Sequence, residues 1–161
     1  MANRFLTPPK LTFPVDASAE FNGTSDFIDL PTDLIEWGNE SNSDNPYTIG
    51  VWCYADDLTA VSQAPFTAGG YASGTNNGAN IHIKDSLIYV FNVDDTGSNY
   101  IGRSYTASIP ENTWFYIAST YDGSRANSGF KMYLDGSRVD SADFSSGTYT
   151  AASQTAANNI N

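Results

Sequence analysis

Two neighbouring stretches, Thr113–Gly123 and Phe130–Val139, constrain this 161-residue chain more than any others. In the first, Trp114, Tyr116, Ala118 and Thr120 fall on one side of an extended segment, with Phe115, Ile117, Ser119 and Tyr121 on the other. That is the period of two of a β-strand, and large side chains on both sides imply a strand in the middle of a packed sandwich. In the second, Phe130, Met132 and Leu134 alternate with Lys131 and Tyr133 until Asp135-Gly136, a dipeptide that favours a tight hairpin turn.

The order Trp114, Ala118, Thr120, Tyr121, Asp122, Gly123, then Tyr133, Leu134, Asp135, Gly136, resembles the laminin G-like, concanavalin A-like jelly-roll superfamily. Ala19–Leu30 and Tyr47–Trp52 fit the same pattern, so the resemblance spans roughly residues 17 to 148. It implies a two-sheet antiparallel β-sandwich. It says less about function, because the fold serves lectins, adhesins, glycosidases and virion proteins alike. Relatives usually run into one or two further strands at the C-terminus, whereas this sequence stops at Asn161. Three ways of closing the sheet stay open: Ile160 lies in a short last strand, an N-terminal arm fills the place, or another chain does.

Composition agrees with an all-β domain. Aromatic residues make up 14% and charged residues 16%, with Gly, Ser, Thr, Asn and Asp between the apolar runs. A length of 161 residues fits one domain with a core of its own. The net charge is −11, from eighteen acidic and seven basic residues, which disfavours nucleic acid and anionic membrane surfaces. No stretch approaches a membrane span, and residues 1–10 hold no signal-length apolar run, so the expectation is a chain made in a host cytoplasm. Cys53 is the only cysteine, which excludes an intrachain disulfide and reads as a small buried thiol.

Residues 1–16, with Pro8, Pro9 and Pro14 among apolar anchors, read as an extended arm, and residues 17–161 as the sandwich. Strands are expected at Ala17–Phe21, Phe27–Leu30, Tyr47–Tyr54, Gln63–Ala68, Asn80–Lys84, Leu87–Val93, Tyr100–Tyr105 and Val139–Phe144, besides the pair above. Asp33–Trp37 could form one helical turn. Trp52 and Trp114 are expected in the core, whereas Trp37 is undecided.

Catalytic patterns are missing. Retaining glycosidases need two carboxyl groups about 5–5.5 Å apart, which alternate positions on one strand can supply. The four glutamates, Glu20, Glu36, Glu40 and Glu111, form no such set. His82 is the only histidine, expected to face solvent or a groove, and no nucleophile elbow, phosphate loop or thiolate zinc pattern accompanies it. The chain reads as a non-enzyme. Calcium needs six to eight oxygens, and Asp94, Asp95 and Asn99 are the candidate metal ligands, with ordinary turn chemistry as the competing reading. Tyr71, Asn76, Asn77 and Asn80 form one candidate glycan site, and Tyr100, Asn99 and Arg103 a second, because sugars need an aromatic platform among polar groups.

The resulting expectation is a non-enzymatic binding or structural module. The resemblance, the acidic surface and the arm point to a phage virion component, either a capsid decoration or a tail-fibre piece. Its partners would be other virion chains, copies of itself, or a cell-surface glycan. The alternative is a free-standing carbohydrate-binding lectin with a calcium-dependent loop site.

Overall fold

Alternation of small aliphatic residues with aromatic and polar ones sorts the chain into two packed sheets. The computed structural model describes residues 18–22, 25–31, 36–39, 43–58, 62–68, 78–84, 86–94, 97–106, 108–152 and 158–160. The arm at 1–16, Tyr71, Asn76, Asn77, Asp95 and most of the helical turn at 33–37 lie outside them. In chain order the strands are β1 (Ile28–Leu30), β2 (Gly38–Asn39), β3 (Ser43–Asp44), β4 (Tyr47–Tyr54), β5 (Gln63–Ala68), β6 (Gly78–Lys84) and β7 (Leu87–Val93). There follow β8 (Tyr100–Thr106), β9 (Trp114–Tyr121), β10 (Phe130–Leu134), β11 (Ser137–Arg138), β12 (Ala142–Ser146) and β13 (Asn158–Ile160).

The larger sheet has seven strands in the order β1-β13-β5-β6-β7-β8-β12, and the smaller has four in the order β11-β10-β9-β4. All their pairings are antiparallel. The expected jelly-roll β-sandwich is therefore the observed fold. Asn158–Ile160 enters the larger sheet between β1 and β5. Residues 18–21, expected to be extended and paired, belong to no strand. Their polar neighbour Asn22 instead closes a local turn, its side chain accepting from the backbone N–H groups of Ser25 and Asp26.

Ile49, Phe115, Ile117, Tyr121, Phe130 and Met132 line the inner side of the smaller sheet. They pack on Phe66, Ile81, Ile83, Ile88, Val90 and Ile101 of the larger one. At about 25 cal/mol per Å² of apolar area, this interface is the main source of stability. The Asp135-Gly136 turn forms as expected, with φ of 48° and 81°, the left-handed pair that a two-residue hairpin requires. Trp37, 1% exposed, joins the core. Its indole lies against Gly78, where a Cβ would come within 3.1 Å of the ring, and edge-on to Tyr47 and Phe66.

Trp52 and Trp114 depart from the core positions expected of them, being 64% and 45% exposed. Both belong to the outer side of the smaller sheet. The inner side of β4 is taken by Ile49, Val51 and Cys53, and that of β9 by Phe115 and Ile117, which fill the narrow space between sheets. Cys53 is partly buried, and desolvation pushes its thiol up to about 12.

A buried polar link ties the two-stranded β2–β3 ribbon to the smaller sheet and to the C-terminal segment. Asp44, 7% exposed, accepts hydrogen bonds from the phenols of Tyr121 and Tyr149, both at 2.7 Å, and from the backbone N–H of Ala152 at 2.9 Å. Burial and the neighbouring Asp44 carboxylate hold both phenols well above the ordinary tyrosine range. Beside them, the Tyr47 hydroxyl donates to Asn92 at 2.5 Å.

Candidate functional site

The outer side of the smaller sheet is built from alternate residues of β4, β9 and β10, and register places them in four rows. Tyr54 lies opposite Trp114, and Trp52 opposite Tyr116. Gly50, Ala118 and Tyr133 form the third row, and Thr48, Thr120 and Lys131 the fourth. The two aromatic rows are cross-strand pairs, with ring centroids 5.5 Å apart for Tyr54–Trp114 and 5.2 Å for Trp52–Tyr116. Tyr54 is 50% exposed, so three large rings face solvent together. A folded domain seldom leaves such an apolar cluster uncovered without a use for it.

Tyr116 leans across the neighbouring strand onto Gly50, where a Cβ would overlap its hydroxyl. The missing side chain at Gly50 therefore seats the ring. At the far end, a shallow open depression of about 390 Å³ is floored by Thr48, Thr120, Asp122 and Lys131. The aromatic end is bordered by Asp56, Asp57, Glu111 and Asp135, all exposed. Glu111 accepts from the N–H of Leu58, and Asp135 from the N–H of Tyr116, which holds both carboxylates in place.

The outer side of the larger sheet carries a second aromatic group. Phe144 stacks on Tyr100 at 4.7 Å and meets Tyr89 and Phe91, while His82 stands edge-on to Phe91 at 5.1 Å. Thr67 and Asn80 are register partners on this side, 0% and 2% exposed. Thr67 Oγ1, Asn80 Oδ1 and His82 Nε2 are buried without a hydrogen-bond partner among the described residues. His82, expected to face solvent or a groove, is half-buried on this side: packing on Phe91 desolvates the ring and pushes its pKa down to about 4.

This distribution places the residues singled out from sequence. Asn80 and Tyr100 lie on the outer side of the larger sheet. Arg103 pairs instead with Asp143 and donates to the carbonyl of Asp140, an ordinary cross-strand bridge between β8 and β12. Asp94 is fully buried and accepts from the side chain and backbone of Asn99, which closes the β7–β8 turn. The described part of that loop thus offers one carboxylate and one amide engaged with each other. Among the described residues, no three of His, Cys, Asp and Glu gather closely enough to hold a metal ion. Trp52 and Trp114 were visible in sequence but assigned to the core. The unpartnered Thr67 carried no sequence signal at all.

Comparison with known proteins matches the geometry. A laminin G-type family model, described as the concanavalin A-like lectin/glucanases superfamily, matches residues 22–160. A solved structure of the mouse laminin alpha1 chain, domains LG4-5, is similar in fold at a TM-score of 0.50 and 12% identity. The match covers 78% of this chain and 30% of the mouse chain. Curated proteins yield no match. On the extent of the family match and the two-sheet fold, the chain belongs to the concanavalin A-like lectin/glucanases superfamily.

Proposed function

We propose that the chain is a non-enzymatic binding module that adheres to a macromolecular partner through the outer side of its smaller sheet. One observation carries this reading: Trp52, Tyr54 and Trp114 stand exposed together on a rigid four-stranded support. Aromatic anchors on regular structure lose little conformational entropy on binding, which is why interface hot spots are enriched in Trp and Tyr. The test compares retention of the native protein and of the Trp52→Ala/Trp114→Ala variant on immobilised polysaccharides, basic peptides and acidic peptides. The reading expects retention on at least one resin that the double variant loses. Equal retention of both proteins on every resin contradicts it.

The proposed setting is a phage virion, as a capsid decoration or a tail-fibre piece. Phe27 and Ile28, 54% and 44% exposed at the edge strand β1, favour an edge completed by a neighbouring chain. A carbohydrate-binding lectin is the second reading. It draws on the aromatic group of Tyr89, Phe91, Tyr100 and Phe144, with Asn80 the register partner of Phe91, because sugars stack an apolar ring face on aromatic side chains. Isothermal titration with a glycan panel, repeated on Asn80→Ala, decides it: heat that the variant loses supports the lectin, and no heat from any glycan removes it.

A further inference from the structure

The charge around the aromatic pairs is unevenly distributed. Tyr54 and Trp114 close one end of the face. Asp56 and Asp57 follow Tyr54 after Ala55, and Glu111 precedes Trp114 by three residues. The Asn112 N–H donates to the Ala55 carbonyl at 2.8 Å and ties these two loops side by side. Asp135 is held against Tyr116 by two backbone-anchored hydrogen bonds, its side chain accepting from the Tyr116 N–H and its own N–H donating to the Tyr116 carbonyl. Four exposed carboxylates therefore border two aromatic pairs. The cations described on this face lie elsewhere. Lys131 is in the fourth row, and Arg138, opposite Tyr133, is already bound to Asp140 through two nitrogens.

Exposed indole and phenol rings attract cations through their faces, and carboxylates at the border add to the same potential. A flat guanidinium suits this arrangement best, since it stacks on a ring and still directs its N–H groups to a carboxylate. A net charge of −11 extends the attraction beyond contact range and repels acidic partners. We propose that the occupant of this face is a protein segment presenting Arg or Lys side chains to the Trp52–Tyr116 and Tyr54–Trp114 pairs. This rests on the binding-face reading above and adds the chemistry of the partner. The rings act as stacking anchors, while Asp56, Asp57, Glu111 and Asp135 select for positive charge.

The probe is octa-arginine, with octa-glutamate and a soluble neutral glucan as comparison ligands, titrated into the full chain and followed by tryptophan fluorescence at low and high salt. Trp52 and Trp114 report on the face, and buried Trp37 serves as an internal reference. The proposal expects a signal change with octa-arginine alone, weakened by salt. It expects about tenfold weaker binding in Trp52→Ala/Trp114→Ala, read by calorimetry, and in Asp56→Asn/Asp57→Asn/Glu111→Gln. Trp52→Phe, which keeps a ring, should recover part of the loss, and Asp29→Asn, an exposed carboxylate on β1 of the larger sheet, should bind as the native protein does. Near-UV circular dichroism verifies that each variant is folded. Equal binding of octa-arginine to the native and double-alanine proteins overturns the proposal, because diffuse charge then suffices. Binding of the neutral glucan in its place, lost in the double variant, overturns the cationic assignment and leaves the binding face standing. Silence toward octa-arginine overturns the assignment whatever the other ligands do.

Discussion

Replacing Asp44 by Ala should remove a buried polar link that joins distant segments of the chain. The carboxylate accepts from Tyr121, Tyr149 and the Ala152 N–H, across sequence separations of 77, 105 and 108 residues. Each hydrogen bond to a charged acceptor contributes about 1.5–3 kcal/mol, and each donor left buried without a partner costs about 1–3 kcal/mol. Tyr121 keeps one partner, since its hydroxyl also accepts from the Arg125 N–H at 2.7 Å, so the sum falls below three full bonds. About 4 kcal/mol is the resulting estimate, a third or more of the stability of an ordinary domain. For a chain of this length it corresponds to a fall in Tm of about 8–16 °C. Tyr149→Phe removes a single bond and should cost about 1.5–2 kcal/mol. Urea unfolding and calorimetry measure both. Asp44 also anchors the segment leading to β13, so limited proteolysis of Asp44→Ala should cut after residue 149 well before the rest of the domain is digested. An Asp44→Ala protein within 1 kcal/mol of the native one, with its C-terminal segment equally protected, would refute the reasoning.

Other perturbations separate the inner faces from the outer ones. Trp37→Ala should cost about 3–5 kcal/mol through the cavity it leaves, whereas Trp52→Ala should change stability by less than about 1 kcal/mol, both read from chemical unfolding. His82 titrates at about 4 when folded and near 6.5 when unfolded, so the unfolded state binds the extra proton between those values. Stability should therefore be full above pH 6.5 and fall by up to about 3 kcal/mol as pH drops toward 4, a slope that His82→Gln should flatten. The Cys53 thiol, pushed up to about 12, should react with a disulfide reagent at pH 8 far more slowly in the native protein than after unfolding. Gly50→Ala should displace Tyr116 from Trp52 and alter the near-UV circular dichroism at small cost in stability, because the phenol can swing outward.

Strand positions were legible because period-two alternation survives without tertiary information: Tyr47–Tyr54, Gln63–Ala68 and Leu87–Val93 form where the pattern places them. Which side of β4 and β9 faces the core was harder to read. Periodicity assigns Trp52 and Tyr54 to one side and Ile49 and Val51 to the other, but both sides are apolar enough to be buried. The narrow space between sheets takes the aliphatic side, so the bulkier rings are left outside. Trp37 was ambiguous for a related reason, since its burial comes from Gly78 and Phe66, far along the chain. Long separations likewise hid the Asp44 link and the unpartnered Thr67, Asn80 and His82, whose meaning depends on neighbours that no local pattern names. The loop at Asp94 and Asn99 was readable only as polar, and the hydrogen bonds between them are what make it a turn.

The most direct test is hydroxyl-radical footprinting of the free chain and of the chain bound to whichever immobilised partner retains it. If the outer side of the smaller sheet is the binding face, Trp52, Tyr54 and Trp114 will be modified readily in the free protein and protected in the complex, with Trp37 unreactive in both. Trp52 and Trp114 modified equally in both states, while protection falls on another surface, would contradict the account.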